Sequence, residues 1–348
     1  MESTIQQLQA RYEQAKAENP KSRIRDLANI LGVSEAQLVA LNTGTTVTRL
    51  EGDFKELLKA VHTMGYVMAL TRNDNVVHER KGVYNNVSFE GPVGLVLDLD
   101  IDLRLFMMHW KFGFAVQEAD RKSLQFFDKS GEAVHKIYLT DRSDVAAFEA
   151  IVAQFKAADQ NPEVVTEAYP VEAAELADSA IDVAAFRESW LNLKDTHEFY
   201  GLLKRHQLTR EQALRLAPEG YAIKIDNTAV QQVFEAAAAD QTPIMIFVGN
   251  RGCIQIHTGT VTKLVTMGPW FNVMDPELNM HLREDRINSS WIVKKPSVDG
   301  VVTALEIFDE KGEMIAQFFG KRKPGNPELE EWRAIVQNVV NKQAHATV

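Results

Sequence analysis

The chain has 348 residues, 45% of them apolar, a formal net charge of −10 and a single cysteine, Cys253. That length and apolar content suffice for two domains, each with its own core. One cysteine excludes an intrachain disulfide framework and a cysteine-rich metal site, and the acidic balance argues against nucleic acid as a main partner, because phosphate binding needs accumulated Lys and Arg.

In chain order, the polar segment 3–17 reads as a helix, and no basic stretch followed by an apolar run appears among Met1–Gln14. With no run of about eighteen apolar residues either, the expectation is a cytoplasmic protein with no membrane insertion. Apolar periodicity predicts a second helix over 24–31. Ser34 is placed to cap a third, through Leu41, and a fourth covers 53–62. From Tyr66 to Thr140 short runs rich in Val, Leu, Phe and Tyr alternate with Asn-Asp-Asn, Asn-Asn, Gly-Pro and Lys-Ser-Gly turns, the pattern of an antiparallel meander. An amphipathic helix over 144–155, with Phe148, Ile151, Val152 and Phe155 on one face, closes this half. The acidic stretch 158–180, with Asn161-Pro162 and Tyr169-Pro170, reads as a linker. The order then recurs: helices around 183–205, 209–216 and 229–238, a meander over 244–319, and a helix near 328–340. Cys253, in the stretch CIQI, reads as a small buried strand residue.

The recurrence is also visible residue by residue. Shifted by 177 positions, Met68, Asn73, Gly82, Gly91, Pro92, Val96, Asp98 and Leu105 fall on Met245, Asn250, Gly259, Gly268, Pro269, Val273, Asp275 and Leu282. Shifted by 181, Trp110, Leu124, Phe127, Asp128, Gly131 and Glu132 fall on Trp291, Leu305, Phe308, Asp309, Gly312 and Glu313. The expected fold class is α+β, a tandem structural repeat in which each half is a large antiparallel sheet flanked by helices. The expected organisation is an N-terminal repeat 1–157, a linker 158–180 and a C-terminal repeat 181–348. Function is then sought where the copies differ.

No HExxH, GxSxG, GxGxxG after a strand, Walker loop or CxxC is present, so hydrolysis or nucleotide chemistry by those routes is not supported. The asymmetric positions are more informative. In Lys194-Asp195-Thr196-His197-Glu198, Asp195 with Glu198 three residues on predicts a capping-box-like start with His197 in the first helical turn. There the helix dipole disfavours an imidazolium, and a neutral imidazole is the form that binds metal. On the helical wheel Phe199, Leu202, Leu203 and His206 form the core face. His197 projects the other way, beside Gly201 and Lys204, so it is either a solvated histidine or a ligand for a flat group lying close to the helix. The corresponding region, Ser22 to Ile24, has no histidine.

Strand alternation puts Arg104, Phe106 and Met108 on one face; Arg104 either snorkels to an edge or faces a cavity, and its repeat-mate is His281. His78, whose mate is Gln255, is a satisfied or solvated strand histidine, or a second candidate ligand. The basic set Arg210, Lys294, Lys295, Lys321, Arg322 and Lys323 forms either a solvated face or a partner for the carboxylates of a ligand.

The stretches Leu103-Arg104-Leu105-Phe106, Ser123 to Asp128, Thr196 to Leu208, Val248-Gly249-Asn250-Arg251-Gly252-Cys253 and Lys295-Pro296 to Gly300 resemble the HemS/HmuS/ChuS family of bacterial haem-utilisation proteins, also called hemin-degrading factors. The likeness spans nearly the whole chain, duplication included. It implies a haem cleft between two similar halves, the first on the distal side and the second supplying the proximal histidine and propionate contacts. Position by position, it implies that His197 is the axial ligand of the haem iron and Arg104 lies on the opposite side, the two forming the catalytic pair. Arg210, Lys295, Gln317 and Arg322 then line the pocket and engage propionates or water, while Phe106 and Phe247 are apolar neighbours of the macrocycle. His78 matches an alternative metal ligand proposed in some relatives. One departure is Phe319, where relatives carry a tyrosine; its phenolic hydrogen bond is absent here.

The resemblance implies haem b as ligand and possible substrate, haem binding in iron acquisition and hemin transport, and participation in haem degradation with an external reductant. The alternative it leaves open is a carrier or buffer that passes haem to a separate oxygenase. An inner-membrane haem importer and downstream haem-handling proteins are the implied partners.

Overall fold

The computed structural model describes residues 4–171, 173–323 and 325–346. The first copy runs α1 (Thr4–Glu18), α2 (Ile24–Leu31), α3 (Glu35–Ala40), β1 (Val47–Leu50), α4 (Phe54–Ala60), β2 (Gly65–Arg72), β3 (Val76–Val83), β4 (Val87–Glu90), β5 (Val93–Leu97), β6 (Asp102–Phe106), β7 (Phe112–Glu118), β8 (Arg121–Phe127), β9 (Ala133–Ser143) and α5 (Val145–Phe155). The second repeats that order element for element: α6 (Val183–Leu191), α7 (Glu198–His206), α8 (Arg210–Arg215), β10 (Ala222–Ile225), α9 (Ala229–Ala239), β11 (Ile244–Gly249), β12 (Cys253–Gly259), β13 (Leu264–Met267), β14 (Trp270–Met274), β15 (Leu278–Arg283), β16 (Ser289–Ser297), β17 (Gly300–Phe308), β18 (Met314–Gly320) and α10 (Glu330–Ala346).

Local chemistry fixes the helix starts. Ser34 accepts from the Gln37 N–H while the Gln37 side chain accepts from Ser34 N–H, a complete capping box for α3. Asp53, Asp144, Asp182 and Thr209 cap α4, α5, α6 and α8 in the same way, each side-chain oxygen accepting a backbone N–H of the first turn. The short strands β1 and β10 carry no sequence signal of their own. They form because β7 and β16 offer an edge to pair with, along Val47↔Val116 to Leu50↔Gly113 and Ala222↔Val293 to Ile225↔Ser290.

The chain divides into two compact units. Unit 1 comprises 1–72, 79–170 and 249–255; unit 2 comprises 73–78, 171–248 and 256–348. Each copy therefore lends one short segment to the unit built mainly by the other. Within unit 1 the strand orders are β1-β7-β8-β9-β2-β3 and β4-β5-β6-β12, and within unit 2 they are β10-β16-β17-β18-β11-β12 and β13-β14-β15-β3.

The exchanged segments begin with repeat-mates doing the same job. Asn73 Oδ1 accepts from the N–H groups of Asn75 and Val76, and Asn250 Oδ1 from those of Gly252 and Cys253. Their amides donate to main-chain carbonyls inside the receiving unit: Asn73 to Ile315 in unit 2, and Asn250 to Arg72 and Val134 in unit 1.

Each unit has apolar layers on both faces of its meander. In unit 2, Ile246, Ile292, Leu305, Ile307 and Phe318 pack beneath α9 and α10 with Val233, Phe234 and Trp332. The opposite face receives α6 to α8 through Phe186, Trp190, Phe199, Leu202 and Leu203 against Trp291, Val293 and Phe308. Gly320 is required where β18 passes α10, since a Cβ there would meet the Trp332 side chain at 2.5 Å. In unit 1, Leu57, Leu58, Phe148, Ile151 and Phe155 cover one face, and Cys253 lies buried in that core, as its sequence context predicts.

Candidate functional site

The segment bearing His197 is anchored from both sides. Trp190 donates its indole N–H to the Lys294 carbonyl at 3.0 Å, and Val298 N–H donates to the Lys194 carbonyl at 2.9 Å, which ties the α6–α7 connection to β16 and the turn after it. The helix start lies two residues later than the sequence expectation. His197 is itself the N-cap residue and α7 begins at Glu198. The predicted pair still operates two residues before the cap: Asp195 Oδ1 accepts the His197 backbone N–H at 2.9 Å, and the Glu198 carboxylate accepts the N–H groups of Lys194 and Asp195 at 3.0 and 3.4 Å.

The His197 side chain is 90% exposed, and its Nδ1 lies 2.6 Å from Asp195 Oδ1. Asp195 is held below its usual range, first by the His197 backbone hydrogen bond and further by the His197 ring and Arg322, against a smaller opposing effect of burial. An ionised carboxylate only accepts, so Nδ1 carries the hydrogen, and the tautomer this selects has its lone pair on Nε2. This is the arrangement in which a carboxylate orients a metal-binding imidazole and raises its basicity. One turn on, a Cβ at Gly201 would meet nothing within 4 Å, so the helix surface beside His197 is open to a flat partner. Among the described residues no three His, Cys, Asp or Glu side chains converge on a metal-ion site. A lone histidine fits an iron that arrives with the four nitrogens of its own macrocycle.

The other unit 2 candidates lie on the α7-facing side of the sheet or at its end. Register aligns Trp291, Glu306, Gln317 and Phe247 in one row across β16, β17, β18 and β11. Phe247 and Phe319 are half-buried and their rings meet edge to face, centroids 5.0 Å apart. Arg210 and Lys295 both bind Glu306: the guanidinium donates Nε and Nη2 to the two carboxylate oxygens at 2.8 and 2.7 Å, and Lys295 Nζ donates at 2.7 Å. Both cations lie over the Phe199 ring, at 5.1 and 4.5 Å from its centre. Burial lowers the Lys295 ammonium to about 8, with Arg210 adding to the fall and Glu306 opposing it. Burial alone would raise Glu306, but the two cations outweigh it and hold the carboxyl at about 2. Arg322, beyond the end of β18, sits 3.9 Å from Asp299 and acts electrostatically on Asp195.

Arg104 and Phe106 belong to unit 1. Both are half-buried on one face of β6, while Leu103 and Leu105 are buried on the other, as alternation predicts. Met108 is a correction: the strand ends at Phe106 and Met107–His109 forms a single 3-10 turn, so Met108 does not continue that face. Arg104 is held by Asp102, two residues back on the same face, and its strand neighbour is Leu95. Burial raises the Asp102 carboxyl, and Arg104 offsets part of that rise. At the equivalent place in unit 2, His281 lies opposite Asn272, with Nδ1 2.7 Å from the amide oxygen. His78, in β3 of unit 2, is wholly buried and presents no surface to an outside ligand.

Three carboxylates went unnoticed in the sequence: Asp102, Asp195 as the Nδ1 partner, and Glu306. Glu306 had a readable signal, since it is the one acid in the apolar run Val301–Phe308 and therefore a charge expected to be buried with partners.

The family model for the haemin-degrading HemS.ChuX domain matches residues 32–155 and again 207–339. The chain is 41% identical over 344 residues to the hemin transport protein HmuS of Yersinia pestis, covering 97% of this chain and 99% of the relative. It is 42% identical over 340 residues to the hemin transport protein HemS of Yersinia enterocolitica, covering 96% and 98%. Among solved structures, holo-PhuS, a heme-binding protein from Pseudomonas aeruginosa, is similar with TM-score 0.94 and 47% identity over 97% of this chain and 99% of that one. ChuS, an E. coli heme oxygenase, is similar with TM-score 0.86 and 36% identity, covering 95% and 99%.

Proposed function

This chain belongs to the HemS/ChuX haemin-degrading family, and from that premise we propose that it binds haem b through His197 in the cytoplasm and takes part in haem breakdown that releases iron. The observation that carries the proposal is the His197 ring itself, exposed at the start of α7 with Nδ1 fixed by Asp195 and Nε2 presented as the donor atom. Haem, as substrate, supplies the iron and the macrocycle to be opened. The chain supplies orientation and charge. Arg210, Lys295 and Arg322 offer cations to propionates, Gln317 offers an amide, and Phe247 and Phe106 offer apolar wall. Phe319 contributes a ring but no hydroxyl, so no phenolic proton is available from that position.

Arg104, assigned by resemblance to the other side of the iron, presents a guanidinium, which has donors and no acceptor; it therefore donates hydrogen bonds rather than ligating. Asp102 fixes the direction in which it does so. Electrons come from an external reductant, since the sequence has no nucleotide-binding fingerprint. Haem reaches the protein from an inner-membrane importer.

A second reading, a carrier that hands haem to a separate oxygenase, is favoured by the higher identity to PhuS, described as a heme-binding protein, than to ChuS, described as a heme oxygenase. Supplying ascorbate aerobically to the haem complex with catalase present separates the two. Tetrapyrrole products with iron release support the enzyme; Soret loss only when catalase is omitted reflects free peroxide and leaves the carrier.

A further inference from the structure

Glu306 is wholly buried in β17, where an unpaired carboxylate would cost several kcal/mol. Two cations from different elements meet it, Arg210 from the first residue of α8 and Lys295 from β16. The charged groups acting on Lys295 are Glu306 and Arg210, and α7 adds only the Phe199 ring. Two cations against one anion leave the cluster with one net positive charge. Lys295 spends one of its three donors on Glu306 and Arg210 two of its five, so donors remain for a further carboxylate.

The duplication provides an internal comparison. Glu35 is the first residue of α3 as Arg210 is of α8, and the 181-residue offset places Gln125 and Lys136 where unit 2 has Glu306 and Gln317. Unit 1 also buries two cations on one carboxylate, but with the acid on the helix instead of the sheet: Glu35 projects from α3 and receives Lys136 Nζ at 2.5 Å together with Arg72, both from the sheet. Moving the acid from helix to strand in unit 2 brings a guanidinium to the helix side, next to the helix that bears His197.

We propose that Glu306 is a positioning residue for ligand recognition: it fixes Arg210 and Lys295 as a pair whose single residual charge receives a carboxylate of the ligand. This rests on the haem reading, in which that carboxylate is a propionate. The preference for a carboxylate-bearing ligand then depends on Lys295 being charged, and it declines as pH rises through about 8.

The test is Soret titration of haem and of its dimethyl ester, which lacks both charges, into wild type, Glu306→Gln and Glu306→Asp between pH 6.5 and 9.5. Wild type should prefer the diacid about tenfold or more at pH 7, the scale of one charge-assisted hydrogen bond of ~1.5 kcal/mol or better. That preference should fall above pH 8. Glu306→Gln should lose most of the preference while still binding the ester, and Glu306→Asp, which keeps the charge, should restore part of it. Equal losses for diacid and ester, or an unchanged ratio and pH profile in Glu306→Gln, would overturn the proposal. If Glu306→Gln fails to fold by thermal melt, Glu306→Asp and the wild-type pH profile decide; a wild type with no diacid preference also overturns it. No Soret band with either ligand in wild type refutes the haem reading instead.

Discussion

Acid should destabilise unit 1 through one buried histidine. His135, in β9, is fully buried. Its Nε2 is 2.5 Å from the Tyr84 hydroxyl, its Nδ1 is 2.8 Å from the Thr71 hydroxyl, and Cys253 Sγ lies 3.8 Å from Nδ1. Burial lowers the imidazole from 6.5 to about 3. The unfolded chain therefore takes up the proton first. Stability is complete above the unfolded value of 6.5 and is lost progressively as pH falls toward 3. At 1.36 kcal/mol per unit, the whole window is worth ~5 kcal/mol and the part between pH 6.5 and 5 about 2 kcal/mol. Replacing the ring with a group that does not titrate but can still accept from Tyr84 and donate to Thr71, His135→Gln, should lower stability at pH 7.5 yet flatten its pH dependence. Denaturant unfolding of both proteins at pH 7.5, 6.5, 5.5 and 5 measures this, with the His135 ring signal followed by NMR. Wild type should lose about 2 kcal/mol more than the variant between pH 7.5 and 5. Parallel losses, or a His135 signal that titrates near 6.5 in the folded protein, would refute the reasoning.

Three further outcomes follow from the geometry. Asp195→Asn removes the charge from the carboxylate that orients His197 and should speed haem loss to an apoglobin scavenger by about 10–100-fold, the usual effect of altering a group behind a metal ligand; an unchanged rate would show that the contact does not matter to binding. Arg104→Ala should keep haem while altering its optical spectrum and slowing reductant-driven breakdown, so unaltered spectra and rates would remove Arg104 from the mechanism. Gly320→Ala forces a methyl to within 2.5 Å of the Trp332 side chain and should cost ~1–3 kcal/mol in denaturant unfolding of unit 2; a neutral result would mean α10 shifts freely.

The repeat was legible because its matches fall on residues with obligatory local roles: turn glycines, Asn73 and Asn250 at hairpin starts, and the core aromatics Phe127 and Phe308. Ser34 located the start of α3 for the same reason. The reciprocal exchange of 73–78 and 249–255 was not legible, since periodicity reports which face a strand buries and not which unit it joins. The edge strands β1 and β10 were missed because four residues carry too little pattern and owe their form to a partner distant in sequence. At the candidate site, residue types pointed to His197 and the cations. What stands behind them came from tertiary contacts: Glu306 is 96 residues from Arg210 and reads locally as a strand charge. His78 shows the converse, a histidine attractive by type that the fold buries completely.

The most direct test of the account is a haem titration of the full chain beside His197→Ala. Ligation through His197 predicts a Soret band that saturates at one haem per chain and is lost or shifted in the variant. Saturation near two haems, or a wild-type spectrum retained by His197→Ala, would contradict it.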